Sequence, residues 1–144
     1  MDTTEENNLL HACGSGEPKG RIKSCRGILL TDIINKVNVK IADHNDTKKM
    51  YIVASSSDGY AAVFSWQELF NTPIGEGVLV ILERDNVKIY EEHGGVDLFS
   101  AKDFLTGPRY VKQLSSIKVL MLTWDNKTFL YQEVEGNSMF VPNF

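Results

Sequence analysis

Met50-Tyr51-Ile52-Val53-Ala54-Ser55-Ser56-Ser57-Asp58-Gly59-Tyr60-Ala61-Ala62-Val63-Phe64 reads as two strands about a tight turn. Met50 to Ala54 carries the β-branched and aromatic residues that suit a pleated, buried surface. Ser55 to Gly59 supplies turn chemistry, and Ala61 to Phe64 returns as the hairpin partner. Ser65-Trp66-Gln67-Glu68 follows directly and has the form of a capping box, in which serine and glutamate satisfy amide donors at a helix start. A short helix through Phe70 is predicted.

Further along the chain, Gly77-Val78-Leu79-Val80-Ile81-Leu82 is a continuous apolar strand, and Asp85-Asn86 turns it into Val87-Lys88-Ile89-Tyr90 as a second hairpin. Val96 to Phe99 is another short strand, Gly107-Pro108 breaks the chain, and Ile117 to Thr123 resumes it. Asp125-Asn126 then turns into Thr128-Phe129-Leu130-Tyr131, and the apolar tail Met139-Phe140-Val141-Pro142 is expected to dock on the body. In the other direction, Leu30, Ile33, Ile34 and Val37 fall at i, i+3, i+4 and i+7, which predicts a helix over Leu29 to Val37. Gly14-Ser15-Gly16-Glu17-Pro18-Lys19-Gly20 is glycine-rich and expected to be a loop, and residues 1–10 to be disordered or a partial strand. Roughly seven strands and two or more short helices, in mixed order without repeated βαβ units, predict one α+β domain over residues 1–144 built on a mixed sheet.

A chain of 144 residues, 42% hydrophobic, can bury its own core. The net charge of −4 opposes a general nucleic-acid footprint, so any anion site must be local. No run of 18 or more apolar residues is present, and the acidic opening lacks the basic and apolar regions of a secretory signal. A cytoplasmic protein is expected, unless an export leader has been removed. Cys13 and Cys25 are too few for a disulfide scaffold.

Local charge runs against the global balance at two places. Lys19, Arg21, Lys23 and Arg26 cluster around glycines before the first helix, where a loop could present cations and backbone amides to an anion, although such runs usually face water. Arg109 and Lys112 follow the Gly107-Pro108 turn and could converge on an anion, the first as a fork and the second as a point charge. Cys13 lies at the mouth of the basic loop, where cations favour a thiolate and so a metal ligand or nucleophile; its plain alternative is a small packed residue. His93 precedes Gly94-Gly95, a place where a ligand edge can approach the backbone. His11, Cys13, Cys25 and His93 show none of the paired spacings of zinc sites, and no Ser-His-Asp order, Walker loop or GxGxxG element is present.

These features occur in an order that resembles the molybdopterin-binding oxidoreductase domain of the sulfite oxidase family. Arg26-Gly27-Ile28-Leu29-Leu30-Thr31-Asp32-Ile33-Ile34 resembles the family's Trp-x-Gly-Val-x-Leu-x-Asp-Leu-Leu helix opening, with Cys25 where the tryptophan is common. Ser57-Asp58-Gly59-Tyr60 resembles its Asp-Gly-Tyr turn. His93-Gly94-Gly95, and Arg109-Tyr110-Val111-Lys112-Gln113-Leu114-Ser115-Ser116-Ile117, resemble its His-Gly stretch and Arg-x-Val-Lys-x-Leu-x-x-Ile ending.

The resemblance implies a small stand-alone version of that fold, with molybdenum held by Cys13 beside the pterin dithiolene. It places Asp58, His93, Arg109, Tyr110 and Lys112 at the pterin and its phosphate. It does not extend to sulfite chemistry, because Leu98 stands near the larger enzymes' arginine and few residues precede Cys13 to carry the upstream cofactor loop.

Three functions follow as expectations. The first is a molybdenum-dependent small oxidoreductase that binds a pterin cofactor and meets a redox protein partner. The second is a non-catalytic module that keeps the fold and binds another anion or a protein. The third is a thiol redox protein, which requires Cys13 and Cys25 within disulfide reach.

Overall fold

The computed structural model describes the backbone of residues 3–12, 18–125 and 128–140, with side chains described over 3–6, 24–91 and 94–123. Among the described residues the chain is α+β: two antiparallel sheets carry short helices between and beside their strands. The first sheet runs β1 (Thr4–Ala12), β2 (Pro18–Leu29), β5 (Val78–Arg84) and β6 (Val87–Lys88), with β7 (Asp97–Ser100) also paired to β5. The second runs β4 (Ala61–Ser65), β3 (Met50–Ser56), β8 (Leu114–Asp125) and β9 (Thr128–Phe140). Helices α1 (Leu30–Val37), α2 (Trp66–Asn71) and α3 (Ile89–His93) join them, with 3-10 turns at His44–Lys49 and Pro73–Gly77.

The hairpin about Asp58-Gly59 forms as its alternation predicts, with Val53 opposite Val63 and Ala54 opposite Ala62. Ile52, Ala54, Ala62 and Phe64 turn inward, to be met by Ile117 and Val119 of β8. The inner face of the first sheet brings Ile28, Val78, Val80 and Leu98 to the same core, and α1 adds Leu30, Ile33 and Ile34. Helix α1 ends where Asn38 turns left-handed.

Strand β5 is buried on both faces. Val78 and Val80 belong to the core between the sheets, whereas Leu79 and Ile81 join Cys25, Ile89, Phe99 and Tyr110 in a second cluster on the far side. That explains an apolar run without alternation at 78–82, since neither face meets water. Gly27, on the neighbouring strand, sits so close to β5 that a Cβ there would fall 2.1 Å from the Val80 carbonyl oxygen. The β2 register shifts at Arg26/Gly27, so this glycine is a close-approach position beside a bulge.

The differences from the sequence reading have identifiable causes. Pro18-Lys19-Gly20 opens β2 instead of lying in a loop, and of the two alternatives for residues 1–10 the strand holds, as β1, because a long antiparallel partner satisfies both segments' backbones despite their polar composition. After Asp85 and Asn86, both left-handed as a tight hairpin turn requires, pairing lasts only through Lys88, and Ile89 then starts α3 and drops into the second cluster. The region after Thr128 continues as β9 to Phe140, so Met139 and Phe140 lie on a strand. Val141 and Pro142 lie outside the described residues, as does Cys13. No helix among the described residues is long and apolar enough to cross a membrane.

Candidate functional site

The segment 107–114 crosses from one sheet to the other. Leu98 and Val111 exchange backbone hydrogen bonds at 2.8 and 2.9 Å, and the Leu114 amide donates to the Val96 carbonyl at 2.8 Å, which fixes the segment to β7. Leu114 then begins β8 and pairs with Ser56 of the second sheet. Gln113 adopts φ 53°, a left-handed kink, and its amide donates to Asp97 Oδ1 at 3.0 Å.

Two other stretches singled out in the sequence meet this crossing. The Tyr60 hydroxyl donates to the Pro108 carbonyl at 2.7 Å, which ties the Asp58-Gly59-Tyr60 turn to the Gly107-Pro108 turn. Gly95 lies against the segment, with the place of its missing Cβ 3.7 Å from the Gln113 Cα. His93 is the last residue of α3, and Gly94 closes that helix at φ 75° with its amide donating to the Tyr90 carbonyl at 2.7 Å. The side chain of His93 lies outside the described residues, as does the whole of Cys13.

Each remaining candidate occupies a definite place. Arg109 is turned inward: its Nε and Nη2 donate to the two oxygens of Asp103 at 2.8 and 2.7 Å. Its Nη1 donates to Glu68 Oε1 at 2.8 Å and to the Val63 carbonyl at 3.1 Å, and its Cζ lies 4.2 Å from the Phe64 ring centroid. Burial works against its charge, but the hydrogen bonds and charges of Asp103 and Glu68 outweigh that penalty and hold the guanidinium protonated more firmly than usual.

Tyr110 is buried, its hydroxyl donating to Asp97 Oδ2 at 3.0 Å and accepting from Arg84 Nη1 at 2.5 Å. Lys112 is exposed, with Nζ 5.7 Å from the Tyr110 ring centroid. Asp58 closes its own turn by accepting from the Ser56 hydroxyl and from the Tyr60 amide, bonds that hold its carboxyl below the ordinary value of 3.8.

The basic window behaves differently. Residues 19–26 lie on β2, with Arg21 opposite Leu10 and Arg26 opposite Glu5, so the stretch has the extended backbone of a ladder, not the concave loop that an anion nest needs. Arg26 also pairs with Glu83. Cys25 is 1% exposed, and its thiol is pushed up to about 11, first by burial and then by the charge of Glu6. Glu6 is its cross-strand partner, six residues along β1 from Ala12. Such a thiol is a packed one at neutral pH.

Asp97, Arg84, Glu68 and Asp103 were not among the candidates, yet they position Tyr110 and Arg109. The sequence signal for Asp97 is a single carboxylate inside an apolar strand, fully buried as it proves to be. Glu68 was legible only as a capping residue. Ser65 Oγ does cap the Glu68 amide at 2.9 Å, but the Glu68 carboxylate serves Arg109. No group of His, Cys, Asp and Glu among the described residues is arranged to hold a metal. No family model, curated protein or solved structure matches this chain.

Proposed function

We propose that this chain is a cofactor-binding domain of the molybdopterin type, a small oxidoreductase domain whose anionic pterin is gripped at the 107–114 crossing. The observation that supports it is that two stretches far apart in sequence, the Asp58-Gly59-Tyr60 turn and Gly94-Gly95, each touch the 107–114 crossing, the first at Pro108 and the second beside Gln113. These are the stretches on which the family resemblance was read.

The residues fit the group in part. Lys112 is exposed on the crossing and suits a phosphate as a point charge. Arg109, Tyr110 and Asp58 direct their polar atoms to partners within the chain and build the wall of the site rather than its grip. The molybdenum ligand in this proposal is Cys13, and His93 approaches the pterin; both assignments rest on the resemblance. When bound, the group would supply oxygen-atom and electron transfer.

The internal commitments of Arg109 and Tyr110 favour a second reading, a non-catalytic module that keeps the frame and binds another anion or a protein. Metal and pterin analysis of protein from a molybdenum-replete host separates the two. Near-stoichiometric molybdenum with pterin fluorescence, the metal lost in Cys13→Ala and the pterin reduced in Lys112→Gln, is the expected result. Protein free of both overturns the first reading and leaves the second.

A further inference from the structure

Asp58-Gly59 is the only Asp-Gly step in the sequence, and no Asn-Gly step occurs. The pair is chemically distinctive, because a glycine nitrogen, with no side chain on its own Cα, reaches the carboxyl carbon of a preceding aspartate with least hindrance. Both residues are exposed. A Cβ built on Gly59 would meet nothing within 4 Å, so the peptide unit has room to turn. Three hydrogen bonds hold it in place. Asp58 Oδ1 accepts from the Ser56 hydroxyl and from the Tyr60 amide, the latter at 3.0 Å, and the Gly59 amide donates to the Ser56 carbonyl at 3.2 Å. The nitrogen and the carboxyl that could react are therefore both engaged while the turn is closed.

We propose that Asp58-Gly59 is a covalent modification site, which isomerises to isoaspartate when the turn opens and so unfastens the turn from the 107–114 crossing. The reaction is independent of what the crossing binds. The Gly59 nitrogen attacks Asp58 Cγ, the N–Cγ bond forms, and the amide proton leaves with the carboxyl hydroxyl as water, closing a succinimide ring. Water then adds to the main-chain carbonyl carbon of Asp58 and breaks its bond to the Gly59 nitrogen. The backbone now runs through Asp58 Cβ and Cγ, one carbon longer, and the released α-carboxylate becomes the side group. The oxygen that accepted from Ser56 and Tyr60 has become a main-chain carbonyl, so Tyr60 is displaced and its hydroxyl loses the Pro108 carbonyl, 2.7 Å away in the intact turn. Ring closure expels water only from the neutral carboxyl. Because the turn's bonds hold that carboxyl ionised to below its ordinary value, the folded protein needs more acid conditions to react than the unfolded chain does.

The test is prolonged incubation of the intact chain, folded and in urea, at mildly acid and neutral pH, with isoaspartate located by fragmentation mass spectrometry and by enzymatic methyl transfer. Isoaspartate is expected at position 58 ahead of every other aspartate. It should form about tenfold faster in the unfolded chain, since two side-chain hydrogen bonds of ordinary net strength no longer have to open first. Ser56→Ala frees the carboxyl from one of them and should speed the folded protein's reaction severalfold. Asp58→Glu keeps the charge but closes a six-membered ring far more slowly, and should abolish the product. The isomerised protein, separated by ion exchange, should show faster amide exchange at Arg109 and Tyr110. A folded wild-type chain without isoaspartate at 58 after the unfolded chain has fully reacted overturns the site. Equal rates in folded and unfolded chains, or a wild-type rate in Ser56→Ala, overturn control by the turn. Unchanged exchange at Arg109 and Tyr110 in the isomerised protein overturns the link to the crossing.

Discussion

Replacing Arg109 with glutamine should unfold the protein more easily rather than merely empty a binding site. The guanidinium is only 20% exposed, with the side chains of Asp103 and Glu68 12% and 30% exposed, so its removal leaves two carboxylates facing each other in a sparsely hydrated place. Breaking a buried ion pair from one side costs about 3–5 kcal/mol, and the partial exposure here reduces that to about 2–4 kcal/mol. For a domain of this length each kcal/mol moves the midpoint by about 3 °C, so the melting temperature should fall by about 6–12 °C. Arg109→Lys keeps the charge but cannot make both contacts to Asp103, and should lose about half as much stability. Urea unfolding at pH 7 measures these differences, and a cycle with Asp103→Asn should give a coupling of about 2 kcal/mol. A loss below about 1 kcal/mol in Arg109→Gln, accompanied by loss of pterin binding, would refute a structural role for the Arg109 bonds to Asp103 and Glu68 and return Arg109 to the ligand.

The remaining predictions concern other parts of the frame. Gly27→Ala drives a Cβ into the Val80 carbonyl and should destabilise the protein by about 3 kcal/mol or more, read as a lower urea midpoint; a near-neutral result would mean that β2 and β5 can separate freely. The Cys25 thiol should resist an aromatic disulfide reagent at pH 8 in the native protein and react on unfolding. Because its folded value is raised from 9.0 to about 11, the neutral thiol is favoured by folding; that stability is complete below about 9 and should be lost as pH rises from there towards 11, a slope that Cys25→Ala should flatten. Asp58 should titrate below the ordinary carboxyl value by carbon-detected NMR, and Ser56→Ala should move it back up. Tyr60→Phe removes the bond to the Pro108 carbonyl and should cost about 1 kcal/mol, with faster amide exchange at Arg109 and Tyr110 as its local signature.

The parts of the fold that could be read from the sequence are those in which the local signal and the tertiary answer coincide. The hairpin about Gly59, the Ser65 cap and the 3.6-residue stripe of α1 each appear where their residues predict, because turn chemistry, capping and one-sided burial act within a few residues. Strand β2 was hidden, and β1 left as one of two alternatives, because their polar composition says nothing about a distant backbone partner, and α3 was hidden because Ile89 is drawn into a cluster built by Leu79, Ile81 and Phe99.

The site was half legible for a similar reason. The order of Asp58, Gly94-Gly95 and Arg109 to Lys112 marks the segments that meet, but spacing does not say which way a charged side chain faces. Arg109 and Lys112 are three residues apart, yet one binds Asp103 and Glu68 and the other stands exposed beside Tyr110. Asp103, Glu68 and Asp97 decide that division, and each looks ordinary in the linear sequence.

The crossing at 107–114 belongs to both sheets, bonded to β7 on one side and entering β8 on the other. A molecule gripping it therefore acts as a rivet between two plates rather than a plug in a hole. The free energy of binding is then shared with the whole structure, so ligand should slow amide exchange in β3 and β5 alike.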